Sequence, residues 1–301
     1  MIKVIVITGA TAVGKTEFSL KLAKSINAEI INADASQFKK HLNIGTAKIK
    51  IDEMQGIKHH LIDIIEPCDD FSISDYQKLA RLKIDEIHKN GKNIIICGGT
   101  GLYIDALVND YHLKAKKSNH QLDELTYKDY SNEELYKLLA SLDKDLALLT
   151  HPNNRNRVLR YIERAMSGDS VKDDNKKPFY DCLFLYLNRS RDDLYERINT
   201  RTLKMLENGW IDECIDLKKH GIDLNKIKEI GYKEINKYLN QELSYEELVE
   251  LIQKETRHYA KRQITWFNHK TKHQLIDADN YNFDEILNII LDFLRGEENE
   301  K

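Results

Sequence analysis

The stretch Lys3-Val4-Ile5-Val6-Ile7-Thr8-Gly9-Ala10-Thr11-Ala12-Val13-Gly14-Lys15-Thr16 decides the fold class. After Lys3, Val4–Thr8 are an unbroken β-branched run, the signature of a strand buried on both faces of a parallel sheet. The next eight fit G-x-x-x-x-G-K-[ST] in full, and a helical pattern follows (Phe18, Leu22, Ala23 and Ile26). A strand before and a helix after are the context that identifies a phosphate-binding P-loop. Glycines let successive backbone N–H groups wrap phosphate oxygens, and the helix N-terminus adds partial positive charge. Lys15 is placed to neutralise a terminal phosphate and the Thr16 hydroxyl to ligate Mg²⁺.

Working outward, Glu29–Ala33 predicts a second strand, Ser74–Lys89 a helix, and Asn93–Cys97 a third buried strand running into Gly98-Gly99-Thr100-Gly101. Alternating strands and helices predict an α/β fold: a P-loop NTPase-like parallel sheet flanked by helices. From about Lys114 to Lys177 the chain is charged, Asn-rich and without a buried-strand pattern. Helices are predicted at Glu133–Leu142 and Asn154–Ala165, and Gly168–Lys177 has turn composition. Strand character returns at Cys182–Leu187, followed by helices Leu194–Gly209, Ile211–His220 and Tyr245–Asn268. A short strand at Gln274–Asp277 and a last helix at Phe283–Leu294 complete the pattern. The organisation expected is a catalytic core of residues 1–114 and 178–301 interrupted by a helical insertion domain at 115–177.

Composition narrows the class. In 301 residues, 41% are hydrophobic and 32% charged, with Gly 13 and Pro 3, which excludes collagen-like and disordered chains. No run approaches the roughly 18 apolar residues of a membrane span, and the N-terminus lacks signal-peptide features, so a soluble protein is expected. The four cysteines are scattered without Cys-x-x-Cys spacing, which fits a reducing cytoplasm and gives no zinc pattern. A formal charge of −3 argues against a protein basic all over, although clustering on one face is what matters for nucleic acid.

Two clusters exist. Arg157, Arg160 and Arg164 form a helical stripe opposite Val158, Leu159 and Ile162. A second lies in Thr256-Arg257-His258-Tyr259-Ala260-Lys261-Arg262-Gln263-Ile264-Thr265-Trp266-Phe267, where Tyr259 and Trp266 read more readily as core than as base platforms. Arg197, Arg201 and Lys204 share one helical face, from which a phosphate clamp could approach the cleft. His59-His60 reads as structural, since adjacent side chains diverge. A P-loop alone means polyphosphate binding, not ATP hydrolysis. The strand Ile94–Cys97 ends without the Asp an ordinary NTPase carries, and a carboxylate comes instead from Asp34 after the second strand. Ligands bind outside the carboxyl ends of parallel strands, so Gly14, Asp34 and Thr100 are expected around one cleft.

Taken together, these motifs resemble bacterial tRNA dimethylallyltransferase, also called tRNA isopentenyltransferase. The likeness runs through Gly9–Thr16, Asn32-Ala33-Asp34-Ala35-Ser36-Gln37, Asn43-Ile44-Gly45-Thr46-Ala47-Lys48 and Gly56–Asp63. It continues through Gly98-Gly99-Thr100-Gly101-Leu102-Tyr103, His151-Pro152-Asn153-Asn154, Arg201–Gly209, Ile230-Gly231-Tyr232-Lys233-Glu234 and Tyr259–Phe267. The resemblance implies transfer of a dimethylallyl group from its diphosphate to N6 of adenosine 37, 3′ of the tRNA anticodon. Gly9, Ala10, Thr11, Ala12, Val13, Gly14, Lys15 and Thr16 would hold the donor diphosphate, with Arg201, and Thr16 the Mg²⁺. Asp34 would be the general base, and Thr100 would line the channel where donor and base meet. Asp34, Ala35, Ser36, Gln37, Thr100, Asn156, Arg157, Val158, Leu159, Arg160, Lys228, Gly231, Tyr232 and Lys233 would touch the anticodon stem-loop. The partners implied are tRNA and dimethylallyl diphosphate, with no membrane and a monomeric enzyme.

The chain departs from the family where Asp34-Ala35-Ser36-Gln37-Phe38-Lys39 stands in place of the common Asp-Ser-Met-Gln-Val-Tyr. Lys114–Asp129 is also shortened and lacks an arginine often found there. The residues themselves leave open a P-loop kinase of a nucleoside or small metabolite, and a nucleotide-gated RNA-binding module.

Overall fold

The computed structural model describes residues 1–109, 127–166, 177–270 and 273–296. Most of the turn expected at Gly168–Lys177 and most of the shortened Lys114–Asp129 segment lie outside them. Strand β1 (Lys3–Gly9) leads through the P-loop into helix α1 (Lys15–Ser25) and strand β2 (Ala28–Asn32). A 3-10 turn, Ala35–Phe38, follows Asp34. Then come β3 (His59–His60), α2 (Ile73–Lys89), β4 (Asn93–Cys97) and α3 (Gly101–Val108). Helices α4 (Asn132–Leu142), α5 (Lys144–Leu148) and α6 (Arg155–Met166) are next. The chain continues with β5 (Asp181–Asn188), α7 (Arg191–Glu207), α8 (Trp210–Lys219), α9 (Tyr232–Leu239), α10 (Tyr245–Lys270), β6 (Gln274–Asp277) and α11 (Phe283–Arg295).

The strands form one parallel sheet in the order β3-β2-β4-β1-β5-β6. Val4, Ile5, Val6 and Ile7 at its centre are fully buried, because helices cover both faces. One face packs Phe18 and Leu22 of α1 with Ile286 and Ile290 of α11; the other packs Tyr76, Ala80 and Ile84 of α2. A separate cluster around Trp210, Tyr232, Leu248 and Ile252 joins α8, α9 and α10.

Contacts divide the chain into two compact units, Met1–Tyr111 with Pro178–Lys301, and His112–Lys177. The second has a core of its own, Leu135, Leu139, Leu146, Ala147, Val158 and Ile162. Its helices start on local caps: Ser131 and Glu134 form a reciprocal capping box, and Asp143 accepts from Leu146 N–H. In the first unit, Phe179 N–H donates to Val108 carbonyl at 2.8 Å and Asn109 bridges Pro178, so the two ends of the intervening segment are stitched side by side.

Candidate active site

Three loops leave the carboxyl ends of neighbouring strands β1, β4 and β2, where a parallel sheet places its ligands. They are stitched without intervening side chains. Gly98 lies so close to Ala33 that a Cβ there would meet its carbonyl carbon at 2.2 Å, which only glycine permits. Ala33 N–H donates to Cys97 carbonyl at 2.8 Å, and Thr100 N–H to Ala33 carbonyl at 3.3 Å.

The P-loop turns at Gly9, where a Cβ would meet Leu187 carbonyl oxygen at 2.5 Å, and at Gly14, whose φ of 109° starts α1. Side chains from distant parts of the chain hold it from outside. Arg189 Nε donates to Val13 carbonyl and Arg197 Nε to Ala12 carbonyl, each at 3.0 Å. Arg201 Nη1 reaches Thr11 Oγ1 at 3.3 Å. Gln263, 5% exposed on α10, accepts from Thr11 N–H at 2.8 Å and donates to Gly99 carbonyl at 2.9 Å, tying the P-loop to the loop after β4. Lys15 folds back over its own loop, donating to Ala10 carbonyl at 2.8 Å and Gly9 carbonyl at 3.1 Å.

Across the cleft, Asn32 fixes the backbone of Asp34. Its Oδ1 accepts from Asp34 N–H at 2.9 Å while its Nδ2 donates to Asp34 carbonyl at 3.1 Å and to Leu61 carbonyl at 2.9 Å. Thr100 Oγ1 accepts from Ala35 N–H at 3.1 Å, and burial pushes the Tyr259 hydroxyl well above its ordinary range, with Thr100 and Gln263 opposing. Phe38, standing where the family has valine, is buried against Tyr76 and Phe71, and Lys39 pairs with Glu229 at 3.0 Å.

A cavity of about 990 Å³ lies among these loops. Its walls carry Thr11, Ala12, Gly14, Lys15 and Thr16, then Asp34, Ala35, Ser36 and Gln37, and Thr100; Arg197, Arg201 and Lys204 come from α7. Gly9, Ala10 and Val13 lie buried beneath and shape the loop instead of lining it. Burial pulls the Lys15 ammonium below its usual range, with Cys97 and Asp34 opposing and Arg201 adding to the effect. Arg201 is lowered for the same first reason, with Asp34 opposing and Arg197 contributing. Two desolvated cations side by side are a site where an anion can replace the solvation they lost.

Other expected contacts need correcting. Val158 is fully buried in the core of the second unit, so its side chain is not presented to RNA, while Leu159 packs half-buried against that core; Asn156, Arg157 and Arg160 are exposed on α6. Tyr232 is likewise fully buried, its hydroxyl donating to Glu213 at 2.7 Å, and Gly231 is covered by the Trp210 ring. They build the wall behind Lys228, which lines the cavity, and Lys233, which is exposed. Conversely, Tyr259 lines the cavity instead of belonging wholly to the core. His60 Nε2 contacts Glu29 at 2.7 Å and His59 Nδ1 the Ile57 carbonyl at 2.9 Å, both local to the sheet edge.

A family model described as IPP transferase matches residues 37–270. The chain belongs to the IPP transferase family. It is 40% identical to the tRNA dimethylallyltransferase of Clostridioides difficile, over 98% of both chains. It is 42% identical to that of Alkaliphilus metalliredigens, over 98% of this chain and 97% of the other. Among solved structures, the tRNA isopentenylpyrophosphate transferase of Bacillus halodurans superposes with a TM-score of 0.74 at 37% identity, covering 99% of this chain and 97% of that one. A eukaryotic dimethylallyltransferase acting on tRNA gives a TM-score of 0.87 at 28% identity, covering all of this chain and 81% of the other. The chain is therefore a prenyl-transferring enzyme on a P-loop-like parallel sheet. Among the described residues no helix is long and apolar enough to cross a membrane.

Proposed function

We propose that this enzyme transfers a dimethylallyl group from dimethylallyl diphosphate to N6 of adenosine 37 in tRNA, beside the anticodon. The observation that carries the reading is one cavity holding both an anion receptor, Lys15 with Arg201, and a carboxylate from a different strand, Asp34. Prenyl transfer to an aromatic amine needs both. The C–O bond of the donor breaks and negative charge collects on the departing diphosphate, which the P-loop N–H groups, Lys15 and Arg201 stabilise. The N6–C bond forms as a proton leaves the amine for Asp34, since the delocalised amine is a poor nucleophile without a base. Diphosphate and the protonated carboxyl complete the balance.

Thr16 fits a Mg²⁺ ion in the way P-loops hold one. Its hydroxyl borders the cavity with no hydrogen bond to another described residue, and Mg²⁺ takes its remaining ligands from water and phosphate. When bound, the ion would neutralise charge on the diphosphate oxygens. Gly99-Thr100 and Asp34–Gln37 would bracket the target purine, which leaves its stack most cheaply in a single-stranded loop. Asn156, Arg157 and Arg160 of the helical insertion, with Lys228 and Lys233, would contact tRNA. In this reading the enzyme acts as a cytoplasmic monomer.

The test is nucleoside mass spectrometry of tRNA incubated with dimethylallyl diphosphate and Mg²⁺. Wild-type enzyme is expected to yield N6-dimethylallyladenosine, and Asp34→Ala to lose about 10³-fold in rate while holding tRNA within a few-fold. Consumption of ATP with the allyl donor left intact would instead establish a kinase.

A further inference from the structure

Asp34 borders an open cavity, yet its carboxylate is fixed in orientation. A carboxylate on a loop rotates about two side-chain bonds, and only some orientations aim an oxygen at an amine. Here both degrees of freedom are taken. Ser36 Oγ donates to Asp34 Oδ1 at 2.6 Å, a charge-assisted distance, and Ser36 N–H donates to the same oxygen at 3.1 Å. The Asp34 backbone is held separately by Asn32 through two further hydrogen bonds, so the loop does not depend on Ser36 for its path. Both Ser36 bonds fall on Oδ1. Oδ2 has no hydrogen-bond partner among the described residues and is the oxygen left to accept a proton.

We infer that Ser36 is the positioning residue of the general base, its hydroxyl locking the Asp34 carboxylate so that Oδ2 is presented to the acceptor amine. The inference rests on the proposed role of Asp34 and adds to it. The arrangement suits a base for a further reason. When Oδ2 takes the amine proton, Oδ1 becomes the carbonyl oxygen of the acid and still accepts from Ser36. The lock therefore survives both protonation states and does not work against the transfer. It also assigns a role to a departure noted in the sequence. The family's common pattern carries a hydroxyl one position earlier and methionine at this one, whereas here the hydroxyl stands two residues after the carboxylate. From there it reaches back across the 3-10 turn to Oδ1. Ala35, in the serine position, contributes only a backbone N–H to Thr100 Oγ1.

Ser36→Ala removes the hydroxyl bond and leaves the backbone N–H bond in place, so the turn remains capped. Steady-state kinetics on Ser36→Ala and Ser36→Thr, with tRNA and dimethylallyl diphosphate, test the inference. Ser36→Ala is expected to lower kcat about tenfold, the scale of a slightly misaligned reacting group, with both KM values within twofold of wild type. Ser36→Thr, which keeps the hydroxyl, is expected to recover kcat to within about threefold. In the Asp34→Asn background, Ser36→Ala is expected to cause no further loss, because the two act as one unit. An unchanged kcat in Ser36→Ala overturns the inference. So does a loss confined to KM for tRNA, which would make Ser36 an RNA contact only, and so does failure of Ser36→Thr to recover. The proposed chemistry fails by a different sign: an Asp34→Ala enzyme that still prenylates tRNA at the wild-type rate.

Discussion

The unit built on the sheet and the helical unit solve the problem of holding functional side chains in opposite ways. In the sheet unit Lys15 and Asp34 are held by near neighbours in sequence, but the loops that carry them are tied together by partners far away. Gln263 and Thr11 are 252 positions apart, Arg201 and Thr11 190, Arg197 and Ala12 185. In the helical unit the core is six buried residues, the helices start on local caps, the longest reach among the described hydrogen bonds is that of Arg155 to the Tyr127 carbonyl, 28 positions away, and Arg157 and Arg160 are exposed. Chemistry on a transferring carbon requires placement to a fraction of an ångström, whereas phosphate contacts tolerate reach and register errors. Under the proposed function, the first unit is the part built for reaction and the second the part built for grip.

Three measurements bear on that contrast. Gly98→Ala is expected to have the largest effect, because backbone meets backbone and nothing can give way. A loss of about 3 kcal/mol in stability of the sheet unit is anticipated, read by denaturant melting, together with lost donor binding. A mild effect would mean the strand-end loops are less tightly stitched than their geometry indicates. Leu139→Ala ranks second, at about 2 kcal/mol, since a small core relaxes around a void. Its signature is faster hydrogen exchange and proteolysis confined to residues 127–166 with donor affinity unchanged; weakened donor binding would break the separation between the two units. The smallest effect is expected for Arg157→Ala with Arg160→Ala. tRNA affinity falls about tenfold and the slope of log K against log salt shallows by about two, with prenylation of saturating tRNA preserved. An unaltered slope would remove α6 from the RNA interface.

The same contrast explains what could be read from the amino-acid order. Buried strands Lys3–Gly9 and Asn93–Cys97, and the capped helices α4 and α6, are written in periodicity within a dozen residues, and the structure has them within a residue or two. β3, only two residues long, and the short helices α3, α5 and α9 escaped because so few turns carry no period to detect. The P-loop is a local pattern, so the placement of Lys15 and Thr16 at the cavity was legible. The grip of Gln263 on two loops was not, since no local pattern tells a buried glutamine where its amide ends. A motif also does not say which of its side chains face inward. Tyr232 and Val158 sit in segments picked for RNA contact, yet packing took both.

The paired hydrogen bond and bridge joining Val108 and Asn109 to Pro178 and Phe179 have an evolutionary corollary. Because the excursion begins and finishes at adjacent points on the sheet unit, its length is decoupled from strand register. Insertions or deletions within it can therefore change its length without shifting any strand of the sheet.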